Sequence, residues 1–92
     1  MAAERVVLEM TIDRDDFLRR LPRAVGPFLE EGDAFRSTDG RWRLTVMPMA
    51  SDRIGVIELQ RLRVAFEFPG LGPAEREAFL ARFRLHYHRG GG

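Results

Sequence analysis

Hydrophobic residues recur along this chain with two different periods. Val6, Leu8, Met10 and Ile12 alternate with Val7, Glu9 and Thr11, the period of two that marks a strand buried on one face. From Asp13 onward the spacing changes. Phe17, Leu18, Leu21, Ala24 and Val25 share one helical face. Asp13 stands where an N-cap belongs, and Asp15 and Asp16 put negative charge into the first turn, where the helix dipole favours it. Pro22 lacks the N–H that an interior turn uses, so the helix is expected to kink or stop near Leu21. Gly26-Pro27 ends whatever remains.

Residues 28–33 read as a connection. Asp39-Gly40, flanked by 35–38 and 41–44, predicts a hairpin closed by a tight primed turn, because Asp and Gly tolerate the positive φ angles it needs. Trp42, Leu44 and Val46 then share one face of the outgoing strand, while Arg41, Arg43 and Thr45 share the other. Pro48 removes a ladder donor, which places this strand at an edge or ends it there. Residues 50–53 read as the next turn. From Ile54 to Phe68 the apolar phase changes: Ile57 and Leu59 are odd, whereas Leu62, Val64, Phe66 and Phe68 are even. A slip of one residue turns every later side chain over, so a bulge or sharp bend is expected near Gln60-Arg61, in one bent strand or two short ones.

Residues 69–72 form a loop, and Pro73 suits the first position of a helix with Glu75 in its opening turn. Arg76, Leu80, Phe83 and Tyr87, joined by Phe79, make one stripe on a helix running to about His88. The order is β-α-β-β-β-α. It predicts an α+β two-layer sandwich, with an antiparallel sheet of about four strands and two helices on one face. That layout is similar to ferredoxin-like plaits, with the final strand of the plait lacking. One domain spans 1–89, followed by a flexible glycine tail at 90–92.

Composition narrows the chemistry. The 92 residues include no Cys, Lys or Asn, and only two Ser, two His, one Tyr and one Gln. A thiolate metal site, a Schiff-base lysine and a lysine-bearing phosphate loop are thereby ruled out. A chain of this size buries roughly 60–70% of its unfolded surface. No apolar run nears the ~20 residues of a membrane span, and residues 1–5 lack a secretion signal. With zero cysteines, the expected location is the cytoplasm. All 15 basic residues are arginine, as the codons of a GC-rich bacterial genome favour. The net charge of +1 gives no strong field toward nucleic acid or anionic membrane.

Few constellations survive that filter. Arg41, Arg43, Arg61 and Arg63 are expected on the open sheet face, where guanidinium groups clamp phosphate or carboxylate. Aromatic platforms for stacked bases are missing from that face, because Phe35, Trp42, Phe66 and Phe68 fall in phase with the core. This argues against nucleic acid. His86 and His88 lie two apart and point to opposite sides of a helix, so they do not share a metal ion. Ser37 and Ser51 lack a nucleophile-elbow context, and the acidic clusters serve capping and loops. No catalytic residue, metal site or cofactor is expected. The C-terminal Gly91-Gly92, within Gly90-Gly91-Gly92, resembles the end of ubiquitin-like modifiers and small sulfur-carrier proteins. In those a partner adenylates the terminal carboxylate, but their folds open with a hairpin and this one with strand then helix. Val7, Met47, Met49, Ile57 and Leu59 add apolar area beyond what one core covers. The leading expectation is a non-enzymatic protein-interaction domain, a homodimer or an assembly subunit.

Overall fold

The computed structural model describes residues 5–87. Strand β1 (Arg5–Thr11) leads to helix α1 (Arg14–Val25). Four strands follow: β2 (Phe28–Glu31), β3 (Ala34–Ser37), β4 (Arg43–Ile54) and β5 (Ile57–Glu67). Helix α2 (Pro73–Tyr87) closes the fold. The strands make one antiparallel sheet in the order β1-β5-β4-β3-β2. The α+β class holds, with five strands instead of about four, and with β1 at an edge the strand order only partly matches the ferredoxin-like layout. Residues 28–33 are not a plain connection: β2 pairs with β3 across Gly32-Asp33. Gly32 has φ 64° and Asp33 a negative φ, as in a type II′ hairpin turn. Only Phe28 of β2 reaches the core, so no alternation announces this strand.

Both helices cover the same side of the sheet. Val6, Leu8 and Met10 of β1, Leu62, Val64 and Phe66 of β5, and Leu44 and Val46 of β4 form one cluster with Phe17 and Leu21 of α1 and Phe79, Leu80, Phe83 and Tyr87 of α2. At its centre Phe83 meets Phe66 edge-on at 4.9 Å between ring centres, and Tyr87 stacks on Phe17 at 5.0 Å. The Tyr87 hydroxyl donates to the Phe17 carbonyl at 2.6 Å, tying the last turn of α2 to the first turn of α1. Burial raises the Tyr87 phenol above its ordinary range, so it stays a donor.

Asp13 caps α1, accepting from the Asp16 N–H at 2.8 Å. The helix does not stop at Leu21 but runs on to Val25 with Pro22 inside it. Pro22 forfeits only one backbone bond there, and Leu21, Ala24 and Val25 are all buried by continuing. Gly26 ends the helix at φ 79°, its N–H donating to the Pro22 carbonyl at 3.0 Å.

The 39–40 hairpin is also wider than a two-residue turn. Asp39 keeps a negative φ, and Ser37 organises the whole loop. Its Oγ accepts from the Arg41 N–H at 2.7 Å and the Trp42 N–H at 3.2 Å, and donates to Asp39 Oδ1 at 2.7 Å. The Ser37 hydroxyl, with the Arg41 N–H, holds the Asp39 carboxyl below its usual range. Trp42 swings inward to pack against Phe79, 5.3 Å between ring centres.

Residues 50–53 are not a turn. β4 continues to Ile54, and the reversal falls at Gly55-Val56, with Gly55 at φ 62°. The expected irregularity sits at the right level but on the other strand. Met49 pairs with Arg61 and Asp52 with Leu59, so Ala50 and Ser51 together oppose Gln60. That is a bulge in β4, and β5 is one uninterrupted strand. Pairing of β4 with β3 stops at Thr45, so Pro48 lies where β4 has become an edge and its missing donor costs no ladder bond.

Candidate contact surface

Three of the four arginines singled out in the sequence share the outer, helix-free side of the sheet. Cross-strand rows there read Arg5–Glu67–Arg43–Arg36, then Val7–Ala65–Thr45–Ala34, Glu9–Arg63–Met47 and Thr11–Arg61–Met49. Glu67 sits between Arg5 and Arg43, and Glu9 beside Arg63, while Arg43 and Arg36 are like-charged neighbours. Arg61 donates to Glu9 at 3.3 Å and approaches Asp52 at 3.6 Å, Arg63 reaches Glu9 at 3.1 Å, and Arg36 lies 3.2 Å from Glu31. Each such exposed pair contributes about 0–1 kcal/mol. Their larger effect is to cancel the field that would draw an anion to Arg61 and Arg63.

Arg41 does not join them. Its Nε donates to the Gly70 carbonyl at 3.2 Å and its guanidinium to Glu75 at 2.8 Å, on the helix side. The Gly70 N–H returns a bond to the Arg41 carbonyl at 3.0 Å. A Cβ on Gly70 would stand 3.0 Å from the Arg41 Cα, so glycine permits this close crossing. Glu75 also accepts from the Gly72 N–H at 3.0 Å, half of a capping box. That bond first, and Arg41 second, hold its carboxyl below the usual range. Arg41 fastens the start of α2 to the hairpin.

Beyond Met49 on β4 and before Arg61 on β5, the two strands project as a two-stranded arm with no other strand beside it among the described residues. The overall extents of 44 × 28 × 24 Å reflect that elongation. The arm has two unlike sides. Its outer side carries Leu59, Ile54 and Ile57, with Asp52 among them, and Met47 and Met49 adjoin it at its base. Its inner side carries Glu58 and Gln60, with Arg53 from β4. Met47 is 52% exposed, Ile54 65%, Ile57 58%, and Val56 at the tip is fully exposed. Val7 and Leu29 extend this apolar ground over the sheet. With β5 unbroken, Ile57 and Leu59 stay in phase with Arg61 and Arg63 on the outer side, and the bulge in β4 sets Ile54 beside Ile57 there.

The remaining sequence candidates separate. Phe35, Trp42, Phe66 and Phe68 are all buried, so among the described residues the outer face has no aromatic platform. Ser37 is buried and committed to its loop. Gly91, Gly92 and His88 lie outside the described residues. His86 lines a groove of about 460 Å³ with Arg19, Arg20 and Arg23. Asp16 pairs with both Arg19 and Arg20, and its carboxyl is held low chiefly by the hydrogen bond from Arg19. Among the described residues no group of three His, Asp or Glu is placed to hold a metal ion, and no helix is long and apolar enough to cross a membrane.

Sequence reasoning missed the arm, and with it Ile54 and Val56. The signal was Gly55 between two apolar residues, masked by the polar stretch 50–53. No family model, curated protein or solved structure matches the chain.

Proposed function

We propose that this domain is a non-enzymatic protein-contact module that works as a homodimer, with the outer sheet side and its arm as the contact surface. The observation that carries this is the two-sidedness of the arm. A lone two-stranded ribbon is marginal in water, and nothing within the described chain covers its apolar side. At about 4.8 Å between strands and about 3.3 Å per residue, the outer side and arm offer on the order of 700 Å² per copy. A standard stable interface takes ~800 Å² per partner. The face also carries both charge signs in near balance, Arg5, Arg36, Arg43, Arg61 and Arg63 against Glu9, Glu31, Asp52 and Glu67, so two copies meet with little net repulsion.

Sedimentation equilibrium tests the reading. The protein is expected to dimerise at micromolar concentration or below. Met47→Asp and Ile57→Asp are each expected to weaken association at least about tenfold, since a carboxylate is buried without a partner. The melting midpoint measured at dilution should stay within a few degrees of the parent's. A chain monomeric throughout, or a dimer indifferent to both substitutions, overturns the proposal.

A further inference from the structure

The edges of the sheet are not treated alike. β2, at one end, has four residues, follows Pro27 and ends in Glu30-Glu31. The edge of β4 beyond Thr45 carries Pro48 and the 50–51 bulge. The matching stretch of β5 is four residues long and contains Glu58. Short length, proline, bulges and charge are the devices by which exposed edges are kept from pairing. β1, at the other end, has none of them. It runs seven residues without proline or bulge, and its one mid-strand charge, Glu9, points to the outer side. Every second residue turns its N–H and C=O away from β5. Among the described residues no backbone bond other than those to β5 reaches residues 6–10.

A trough follows this edge. One part, about 350 Å³, lies against residues 8–12 and the Phe83, Arg84 and Tyr87 side of α2. Consecutive β1 residues line it, from both faces of the strand, so it runs along the strand's flank. A second hollow, about 250 Å³, lies beside Val6 and is lined by Pro73, Arg76, Glu77 and Leu80 of α2. The two hollows flank the strand between Val6 and Ile12, about 20 Å of extended chain. Val6, Leu8 and Met10 are only partly buried against the core, so a neighbouring strand would finish covering them. Arg84 lines the trough with no acidic partner among the described residues.

We infer that the β1 edge is a docking site for an extended peptide segment of another protein. The segment adds antiparallel or parallel to β1, turns alternate apolar side chains under α2, and places a carboxylate opposite Arg84. This goes beyond the dimer reading and uses a different part of the molecule.

The test is an amide NMR titration of the full chain with a short capped peptide that alternates valine with threonine and carries one glutamate near an end. Binding is expected to shift amides along residues 6–10, slow the exchange of every second one at least about tenfold, and give contacts to Leu80 and Phe83. A proline at the centre of the peptide is expected to abolish binding. Arg84→Glu, on an exposed position, is expected to weaken it about tenfold. No binding at millimolar peptide, shifts that map elsewhere, or equal binding of the proline peptide overturns the inference. So does protection of the β1 amides that grows with protein concentration alone, which would show a second copy seated there.

Discussion

The β4–β5 ribbon passes through two environments. At its base Leu44, Val46, Val64 and Phe66 are at most 1% exposed, closed over by both helices. A few residues further along the same two strands, Ile54 and Ile57 are more than half exposed. Backbone pairing is the same kind throughout, and apolar side chains are present in both halves. What differs is the presence of a second layer. The base is held between two layers within the chain, whereas the apolar side of the arm faces no second layer among the described residues. Hydrophobic character alone therefore does not identify core; the layer facing it does.

Substitutions can break this contrast. Phe66→Ala at the base is expected to cost about 3–5 kcal/mol in urea unfolding, while Ile57→Ala in the arm, at monomer concentration, stays within about 0.5 kcal/mol. Equal losses would mean that the arm is part of the folded core. Asp13→Ala removes the cap of a helix that covers the base and is expected to cost about 1 kcal/mol. Tyr87→Phe, which deletes the bond to Phe17, should cost a similar or slightly smaller amount. Neither should alter self-association, and an effect there would tie the helix layer to the contact surface.

The smallest expected effect is on the acid side. Asp16, Asp39 and Glu75 all titrate below their ordinary values of 3.8, 3.8 and 4.5. Near those values the unfolded chain binds more protons than the folded one, so stability is present above them and is lost as pH falls through and below them. The urea midpoint should decline modestly from neutral pH toward about pH 3. Arg41→Ala should shrink the share of that decline due to Glu75. A midpoint that rises on acidification would contradict the assignment.

Much of the covered half was readable in the sequence because burial there imposes a period. β1, both helices and the even-numbered face of β5 followed from it directly. β2 was not readable, since a four-residue strand with one core contact imposes no period. The tight primed turn expected at 39–40 and the turn expected at 50–53 fail for chemical reasons. Ser37 does through its hydroxyl what a primed turn does through backbone geometry, and 50–53 carries turn-type residues that a bulge accommodates equally well. Pro22 predicted a break that the burial of Ala24 and Val25 outweighs. On the outer side, the arginines were grouped by alternation, which placed three correctly. It could not foresee that Arg41 precedes the strand and is clasped by Gly70.

The extra residue in β4 has a geometric result of its own. Up to Met49 the odd positions of that strand face outward; from Asp52 the even ones do, and this brings Ile54 beside Ile57 in place of Arg53. Removing Ala50 would leave every arm side chain on its present side while relaxing the added local coil. Composition and direction would then be uncoupled: the same sticky surface, pointed elsewhere. Ala50-Ser51 is an elbow, and the reach of the arm toward any neighbour depends on how sharply it is set.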